Sequence, residues 1–121
     1  MTNAFPPGSL VVLYMREPRE KVWGVLQDLN AAGVAIRGIE LRSFDDWLRD
    51  RTQKNPEGIA PSLAFYPLAR VEKILVDEDA AGLPSLAEQA RQRTGIDARE
   101  LLEGVAGRGP AQAEKGSASA V

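Results

Sequence analysis

Two glycines, Gly24 and Gly38, lie in the middle of apolar segments whose other residues are typical of β-strands. A glycine inside a strand marks a sharp bend or a bulge, as at the corner of a small barrel. Closing a bent sheet also removes strand edges that would otherwise pair with other chains. The glycines therefore predict a small, strongly bent antiparallel sheet.

Five short segments have the composition and alternation of strands, and turn residues separate them. The predicted strands are 10–15, 21–29, 34–41, 63–67 and 71–76. In the second strand, Val22 and Leu26 lie on one face, and Trp23 and Val25 lie on the other. Pro67 has no N–H group to donate, so it is placed at a strand end or at a sheet edge.

The sequence predicts three helices, the first of them from a change in the spacing of apolar residues to that of a helix. The first helix is predicted over 43–54, as an insertion between the third and fourth strands, with Ser43 as its N-cap. A capping box that begins at Ser85 starts a second helix, which runs to Thr94. We expect the weak apolar stripe of this helix either to cap one open end of the barrel or to pack on a second copy of the chain. A third, shorter helix ends near Gly104.

One domain is expected at a length of 121 residues. Residues 1–9 are interpreted as a flexible lead-in, 10–82 as a β-barrel domain, and 83–106 as helices packed on the barrel. Residues 107–121 are small and polar, which is typical of a disordered tail. The predicted fold class is mainly β with added helices. The alternative to a barrel is an open sheet with the helix at 43–54 crossing one face.

The composition excludes several kinds of chemistry. The chain has no cysteine and no histidine, which rules out disulfides, thiol catalysis, His-ligated metals and serine–histidine relays. Its 15 basic and 17 acidic residues leave a formal charge of −2, which argues against broad electrostatic binding of nucleic acid. We predict no catalytic, cofactor-binding or metal-binding residues, and hence a protein that is not an enzyme.

No apolar run approaches the roughly 18–20 residues of a membrane helix, and the first residues lack the pattern of a secretion signal. We therefore expect a cytoplasmic location and no membrane partner.

Two stretches resemble the motifs of the Sm-like family, whose members are small five-stranded barrels similar to Src-homology-3 domains. Residues 22–30 resemble the first Sm motif, in which a glycine and then a leucine follow an apolar residue at intervals of two. Residues 65–74 are similar to the second motif, where a strand end, a tight turn and the last strand follow each other. Segment 42–60 falls where the family has a variable loop. The resemblance covers about 10–77 and implies a barrel that assembles into rings.

The residues with which the family contacts RNA are not matched in this chain. Gly33-Val34 stands where the family has Met-Asn after the second strand, and Leu68-Ala69-Arg70 stands where it has Arg-Gly. The resemblance therefore implies a fold and a mode of assembly, whereas RNA binding is the alternative function.

Ring assembly in this family pairs the fourth strand of one subunit with the fifth strand of the next. Phe65, Tyr66 and Arg70 are accordingly candidate partner contacts; the opposing interpretation buries Phe65 in the core and turns Tyr66 outward. Trp23 is a further candidate contact if its ring is exposed to a nucleic-acid base or to a partner protein. The opposing interpretation packs the ring beneath a helix.

The first turn offers weaker candidates for phosphate contact, namely Arg16, Arg19 and Lys21. Glu17 and Glu20 alternate with them and favour a solvated turn instead.

Acidic residues are the remaining source of acid–base chemistry. Asp45, Asp46 and Asp50 could hold a cation or transfer a proton, although helix capping and the helix dipole account for the first two. The segment Asp77–Asp79 is interpreted as a solvated turn.

Together these features predict a non-enzymatic, Sm-like binding or scaffold module that self-associates through strand edges. The expected partner is a second copy of the chain, with another protein as a further option and no cofactor. An RNA-binding Sm-like protein is the alternative, and a carboxylate-based enzyme is the second alternative.

Overall fold

The computed structural model describes residues 5–52 and 60–104. The predicted lead-in and helical insertion lie partly outside these residues, and the predicted tail lies wholly outside them. The strands are β1 (Leu10–Met15), β2 (Glu20–Leu29), β3 (Gly33–Glu40), β4 (Ser62–Pro67) and β5 (Val71–Val76). The helices are α1 (Phe44–Arg51), α2 (Leu86–Thr94) and α3 (Ala98–Glu103), and short 3₁₀ turns occupy Leu41–Ser43 and Leu68–Arg70. None of the described helices is long and apolar enough to cross a membrane.

The five strands form one antiparallel sheet in the order β4-β3-β2-β1-β5. A mainly β fold with added helices is therefore confirmed. The predicted closure into a barrel is not found, because β4 and β5 are the two outer strands and no ladder within the described residues joins them. The sheet is nevertheless curved, because Tyr66 of β4 and Ile74 of β5 pack against the same cluster of buried apolar side chains on one face of the sheet.

The two mid-strand glycines form a pair across the sheet. Gly24 and Gly38 lie directly opposite each other on β2 and β3. A Cβ atom added to Gly24 would lie 2.3 Å from the carbonyl oxygen of Arg37 and 2.7 Å from the Cα of Gly38. The glycines thus allow a close approach of the two backbones. Gly24 does not mark a bulge, because the irregularity of this ladder lies between Leu26 and Asp28.

The two faces of the sheet carry separate apolar cores, and the predicted separation of Val22 from Trp23 is confirmed. The inner core contains Val11, Leu13, Met15, Val22, Leu26, Val34 and Ile36. The helix-side core contains Val12, Trp23, Val25, Ile39, Phe44, Trp47, Leu48, Ala90, Ala98, Leu101 and Leu102. Full burial of one large apolar side chain stabilises a fold by about 1.5–3 kcal/mol, so both cores contribute to stability.

Trp23 lies within the helix-side core and is fully buried. Its ring centroid lies 5.3 Å from that of Phe44 and 5.9 Å from that of Trp47, in edge-on contacts. Its Nε1–H donates a hydrogen bond to Oδ2 of Asp77 at 3.0 Å. The exposed placement of Trp23 is therefore wrong, and packing beneath a helix is the arrangement found.

A carboxylate at the end of β5 joins the helices to the sheet. Asp77 accepts the backbone N–H of Leu86 at 2.8 Å and that of Ala87 at 2.9 Å, in addition to the indole N–H of Trp23. These two backbone donors belong to the first turn of α2, which has no partners for them within the helix. The interpretation of Asp77–Asp79 as a solvated turn is wrong at Asp77, because both of its oxygens are bonded within the chain.

Ser85 caps α2 as predicted, since its Oγ accepts the Glu88 N–H at 3.0 Å. Glu88 does not complete the capping box. Its carboxylate binds Arg91, a contact that lowers the pKa of Glu88, and Asp79 accepts the Ser85 N–H at 2.8 Å instead. The helix ends as predicted at Gly95, whose φ is 77°.

α2 adds Ala90, Leu86 and Ala87 to the helix-side core. The apolar stripe of this helix therefore packs into the helix-side core beside α1 and α3, and it does not cover an open end of a barrel.

Candidate interaction surface

β4 is an outer strand of the sheet and exposes apolar side chains to solvent. Within the described part of the chain this strand pairs only with β3, and its Leu63 and Phe65 side chains are 55% and 54% exposed. Leu68, in the turn that follows, is exposed as well. Ala64 and Tyr66 alternate with them and are half-buried. The interpretation that buries Phe65 and turns Tyr66 outward is therefore wrong, because Phe65 faces solvent and Tyr66 packs on the inner core.

The other edge of the sheet has a similar character. Among the strands that the structure describes, β5 pairs only with β1, and its Leu75 and Val76 are each 43% exposed. Ile74 of the same strand packs against the inner core. Each edge therefore has a row of backbone groups that no described strand pairs, and beside this row it exposes apolar side chains to water. Such an edge is a template for pairing with another strand.

Arg70 and Arg16 hold the turn after β4 against the turn after β1. Arg70 donates from Nε to the carbonyl of Arg16 at 3.0 Å and from Nη2 to that of Pro18 at 2.9 Å. Arg16 donates from Nε to the carbonyl of Ala69 at 3.1 Å. The Arg70 guanidinium also lies 6.0 Å from the ring centroid of Tyr66. Both candidate arginines thus make contacts within the chain and fix the end of β4.

Tyr66 is held in a partly apolar setting beside charged groups. Burial raises the pKa of Tyr66, the charges of Glu20 and Glu40 raise it further, and Arg70 opposes the rise. The phenol therefore stays protonated at neutral pH and keeps an O–H group to donate at the β4 edge.

Two lysines lie on either side of the Tyr14 ring, on the face of the sheet that carries the helix-side core. Lys21 and Lys73 place Nζ at 5.0 and 4.7 Å from the ring centroid of Tyr14, because their strands pair with β1 on either side. Neither lysine takes part in an ion pair with another described residue. Arg19 lines an open groove beside Lys21. Of the three phosphate candidates, the structure therefore brings Arg19 and Lys21 together on the surface.

The acids of α1 lie in ion pairs, two of them on the helix surface and the third, that of Asp50, largely buried. These pairs are Asp45–Arg93 at 2.8 Å, Asp46–Arg49 at 2.9 Å and Asp50–Arg51 at 3.8 Å. Ser43 is the N-cap residue of α1 as predicted, but its side chain makes no capping hydrogen bond. Over 5–52 and 60–104, no group of three acidic side chains is placed to hold a metal ion.

Three residues of the surface were not singled out from the sequence. Leu63 lies two residues before Phe65, so strand alternation is a signal that would have found it. Lys73 reaches Tyr14 only through the pairing of β5 with β1, which no local pattern indicates. The third, Leu83, lies in the loop between β5 and α2 and has no strand or helix pattern around it.

No protein-family model matches this chain, and no curated protein and no solved structure matches it either.

Proposed function

We propose that this chain is a non-enzymatic, Sm-like binding or scaffold module that assembles with copies of itself through the free edges of β4 and β5. One observation carries the proposal: neither edge has a partner strand among residues 5–52 and 60–104, and both expose large apolar side chains, Leu63 and Phe65 on one and Leu75 and Val76 on the other. Pairing β4 of one copy with β5 of the next satisfies the unpaired backbone groups and covers these side chains.

The two edges differ in sequence, so an interface between them joins two different surfaces. Contacts of that kind add copies head to tail, and they close into a ring when the rotation between copies permits. The strand order, the curl of the sheet and the 3₁₀ turn between β4 and β5 support the Sm-like interpretation. The cytoplasmic location expected from the sequence remains a prediction.

Substitution of Phe65 tests the edge pairing. The wild-type chain is expected to have a mass several times that of the 13.1 kDa monomer, and Phe65→Asp is expected to reduce it to the monomer mass. The reason is that assembly would bury the new carboxylate without a partner, at a cost of several kcal/mol. Size-exclusion chromatography with light scattering measures both masses.

Ile96→Asp is the matched control, because Ile96 is also an exposed apolar residue but lies between α2 and α3. It is expected to keep the wild-type mass. A wild-type chain that stays monomeric over the concentrations tested, or an unchanged mass for Phe65→Asp, contradicts the proposal.

Binding of single-stranded RNA is a second candidate function, favoured by the unpaired Lys21 and Lys73 with Arg19 nearby. The two ammonium groups lie over the Tyr14 ring, which favours contacts with phosphates over base stacking. Three phosphate contacts to a single strand give a slope of log affinity against log salt of about −2.

Fluorescence anisotropy with labelled, mixed-sequence RNA at several salt concentrations measures that slope. The double variant Lys21→Gln/Lys73→Gln is expected to flatten it, while Arg99→Gln on the exposed side of α3 is expected to leave it unchanged. A titration with no anisotropy change at low salt eliminates this candidate.

A further inference from the structure

Backbone hydrogen bonds at the end of β4 show which way its residues point their polar backbone groups. Leu68 donates its N–H to the carbonyl of Ala32 at 3.0 Å, on either side of the opposed residues Gly33 and Pro67. A bond between the residues that flank an opposed pair marks that pair as one without its own hydrogen bonds. Gly33 agrees with this, because it exchanges bonds of 3.0 and 3.2 Å with Asn30 at the end of β2 instead.

Alternation along the ladder assigns the other residues of β4. The pairing of β4 with β3 is regular over its whole length. Tyr66 and Ala64 therefore direct their N–H and C=O groups at β3, whereas Phe65 and Leu63 direct theirs at the open edge. The two residues of β4 with the most exposed apolar side chains are thus also the two that offer a donor and an acceptor at this edge.

The same reasoning applies to β5. Asp77 donates its N–H to the carbonyl of Leu10 at 2.9 Å, and these residues flank the opposed pair Val11 and Val76. Val76 therefore makes no ladder bonds to β1. The ladder is regular from Val76 to Ile74, so both of these residues direct their backbone groups at the open edge of β5.

One antiparallel register matches the two edges. It places Leu63 of one copy opposite Val76 of the next and Phe65 opposite Ile74, so that each of these pairs exchanges two backbone hydrogen bonds. A shift by two residues replaces one of the pairs. The new pair contains either Pro67, which has no N–H to donate, or the irregular start of β5.

This register also brings the apolar side chains of the two edges to one face. Within one copy, Phe65 points away from the inner core, because its neighbour Tyr66 packs on that core, whereas Ile74 packs against it. Directly opposite residues share a face of the joint sheet. Phe65 of one copy therefore continues the inner-core face of the next copy. Leu63 and Val76 lie on the same face, and the four side chains cover one another.

A pairing that keeps the same face of the sheet in both copies is less favourable. β4 and β5 run in the same direction within one sheet, because each strand from β4 through β3, β2 and β1 to β5 is antiparallel to the one before. Such a pairing would be parallel, which is slightly less stable per residue. It would place Phe65 and Leu63 on one face with Lys73 and Leu75, and Val76 on the other face.

We propose that copies of the chain join antiparallel, with Phe65 of one copy opposite Ile74 of the next and Leu63 opposite Val76. The helix-side face of one copy then continues as the inner-core face of its neighbour. This inference rests on the proposed function, because it requires β4 and β5 to pair between copies. It adds the direction, the register and the face of that pairing, which exposure of the two edges does not define.

Cysteine cross-linking tests the register, since the chain contains no cysteine of its own. Four full-length double variants combine Leu63→Cys or Ala64→Cys on β4 with Leu75→Cys or Val76→Cys on β5. Each variant is oxidised with glutathione disulfide, and disulfide-linked multimers are measured by non-reducing gel electrophoresis. Leu75 and Val76 are equally exposed, at 43%, so each is the matched control for the other.

Two combinations are expected to give at least tenfold more linked multimer than the other two. These are Leu63→Cys/Val76→Cys and Ala64→Cys/Leu75→Cys, whose side chains lie directly opposite each other on one face. In the two crossed combinations the Cβ atoms point to opposite faces and cannot be bridged without movement of the backbone. A parallel pairing that keeps the same face favours the crossed combinations instead.

The outcomes separate this inference from the proposed function. The proposed register requires both expected combinations to exceed both crossed ones, and any other pattern of yields overturns it. If the wild-type chain is oligomeric and Phe65→Asp dissociates it, such a pattern overturns the register alone. If the wild-type chain is monomeric, both proposals are overturned.

Discussion

Gly24→Ala is expected to lower the free energy of unfolding by about 3 kcal/mol, the upper range for overpacking in a core. The added Cβ would lie 2.3 Å from the Arg37 carbonyl oxygen and 2.7 Å from the Gly38 Cα. Both are backbone atoms of the neighbouring strand, so no side-chain rotation relieves the contact. β2 and β3 must separate at the centre of the sheet, between the two cores. Urea denaturation followed by circular dichroism measures the loss.

Gly82→Ala is the matched control, because it adds the same methyl group in open space. No atom lies within 4 Å of the position of the new Cβ, and only the positive φ of 80° opposes the change. That strain costs about 1 kcal/mol. If Gly24→Ala destabilises the protein no more than Gly82→Ala does, the close approach of β2 and β3 is not a constraint on the fold.

The facing glycine gives a further check on the same contact. Gly38→Ala would place its Cβ 2.1 Å from the Trp23 carbonyl oxygen, in the same narrow gap. The first substitution opens the gap, so the second should cost less in its presence than alone. The double variant is therefore expected to lose less free energy of unfolding than the two single variants added together.

The local part of the fold was predictable, because alternation and turn residues are properties of neighbouring positions. The bounds predicted for the first and last strands, 10–15 and 71–76, agree with the structure. Closure was not predictable in the same way. It depends on whether β4 and β5 meet, and no local pattern reports the distance between two outer strands.

The direction of the β4 side chains shows the same limit at the candidate interface. Alternation places Phe65 and Tyr66 on opposite faces but does not say which face is inside. The register decides, because Tyr66 lies opposite Val34, whose side chain belongs to the inner core. Cross-strand neighbours share a face, so Tyr66 turns inward and Phe65 is left at the surface.

Trp23 illustrates why a contact between distant segments escapes sequence analysis. Its indole N–H is bonded to a carboxylate 54 residues further along the chain. The local sequence, in which Trp23 lies between a valine and a glycine, is compatible with an exposed ring and equally with a buried one. The packing of the helices over β2 buries the ring, with Phe44 and Trp47 of α1 in contact with it. Asp77 bonds both the indole of Trp23 and the first turn of α2.

Asp77→Ala is expected to lower the free energy of unfolding by about 3 kcal/mol. The substitution removes the acceptor of three hydrogen bonds at 2.8–3.0 Å, two of them from the first turn of α2. Loss of a helix cap costs about 1 kcal/mol, and a buried indole N–H left without an acceptor costs about 1–3 kcal/mol. A negative charge at the helix N-terminus is lost as well.

Asp79→Ala is the matched control for Asp77→Ala, because Asp79 accepts one exposed N–H, that of Ser85, and its loss should cost about 1 kcal/mol at most. NMR separates the contact from general destabilisation, since the chain has two tryptophans. In Asp77→Asn the indole N–H signal of Trp23 should shift, while that of Trp47, whose Nε1 has no partner among the described residues, should not.

Equal stability of Asp77→Ala and Asp79→Ala, or an unmoved Trp23 signal, would show that Asp77 does not join the helices to the sheet.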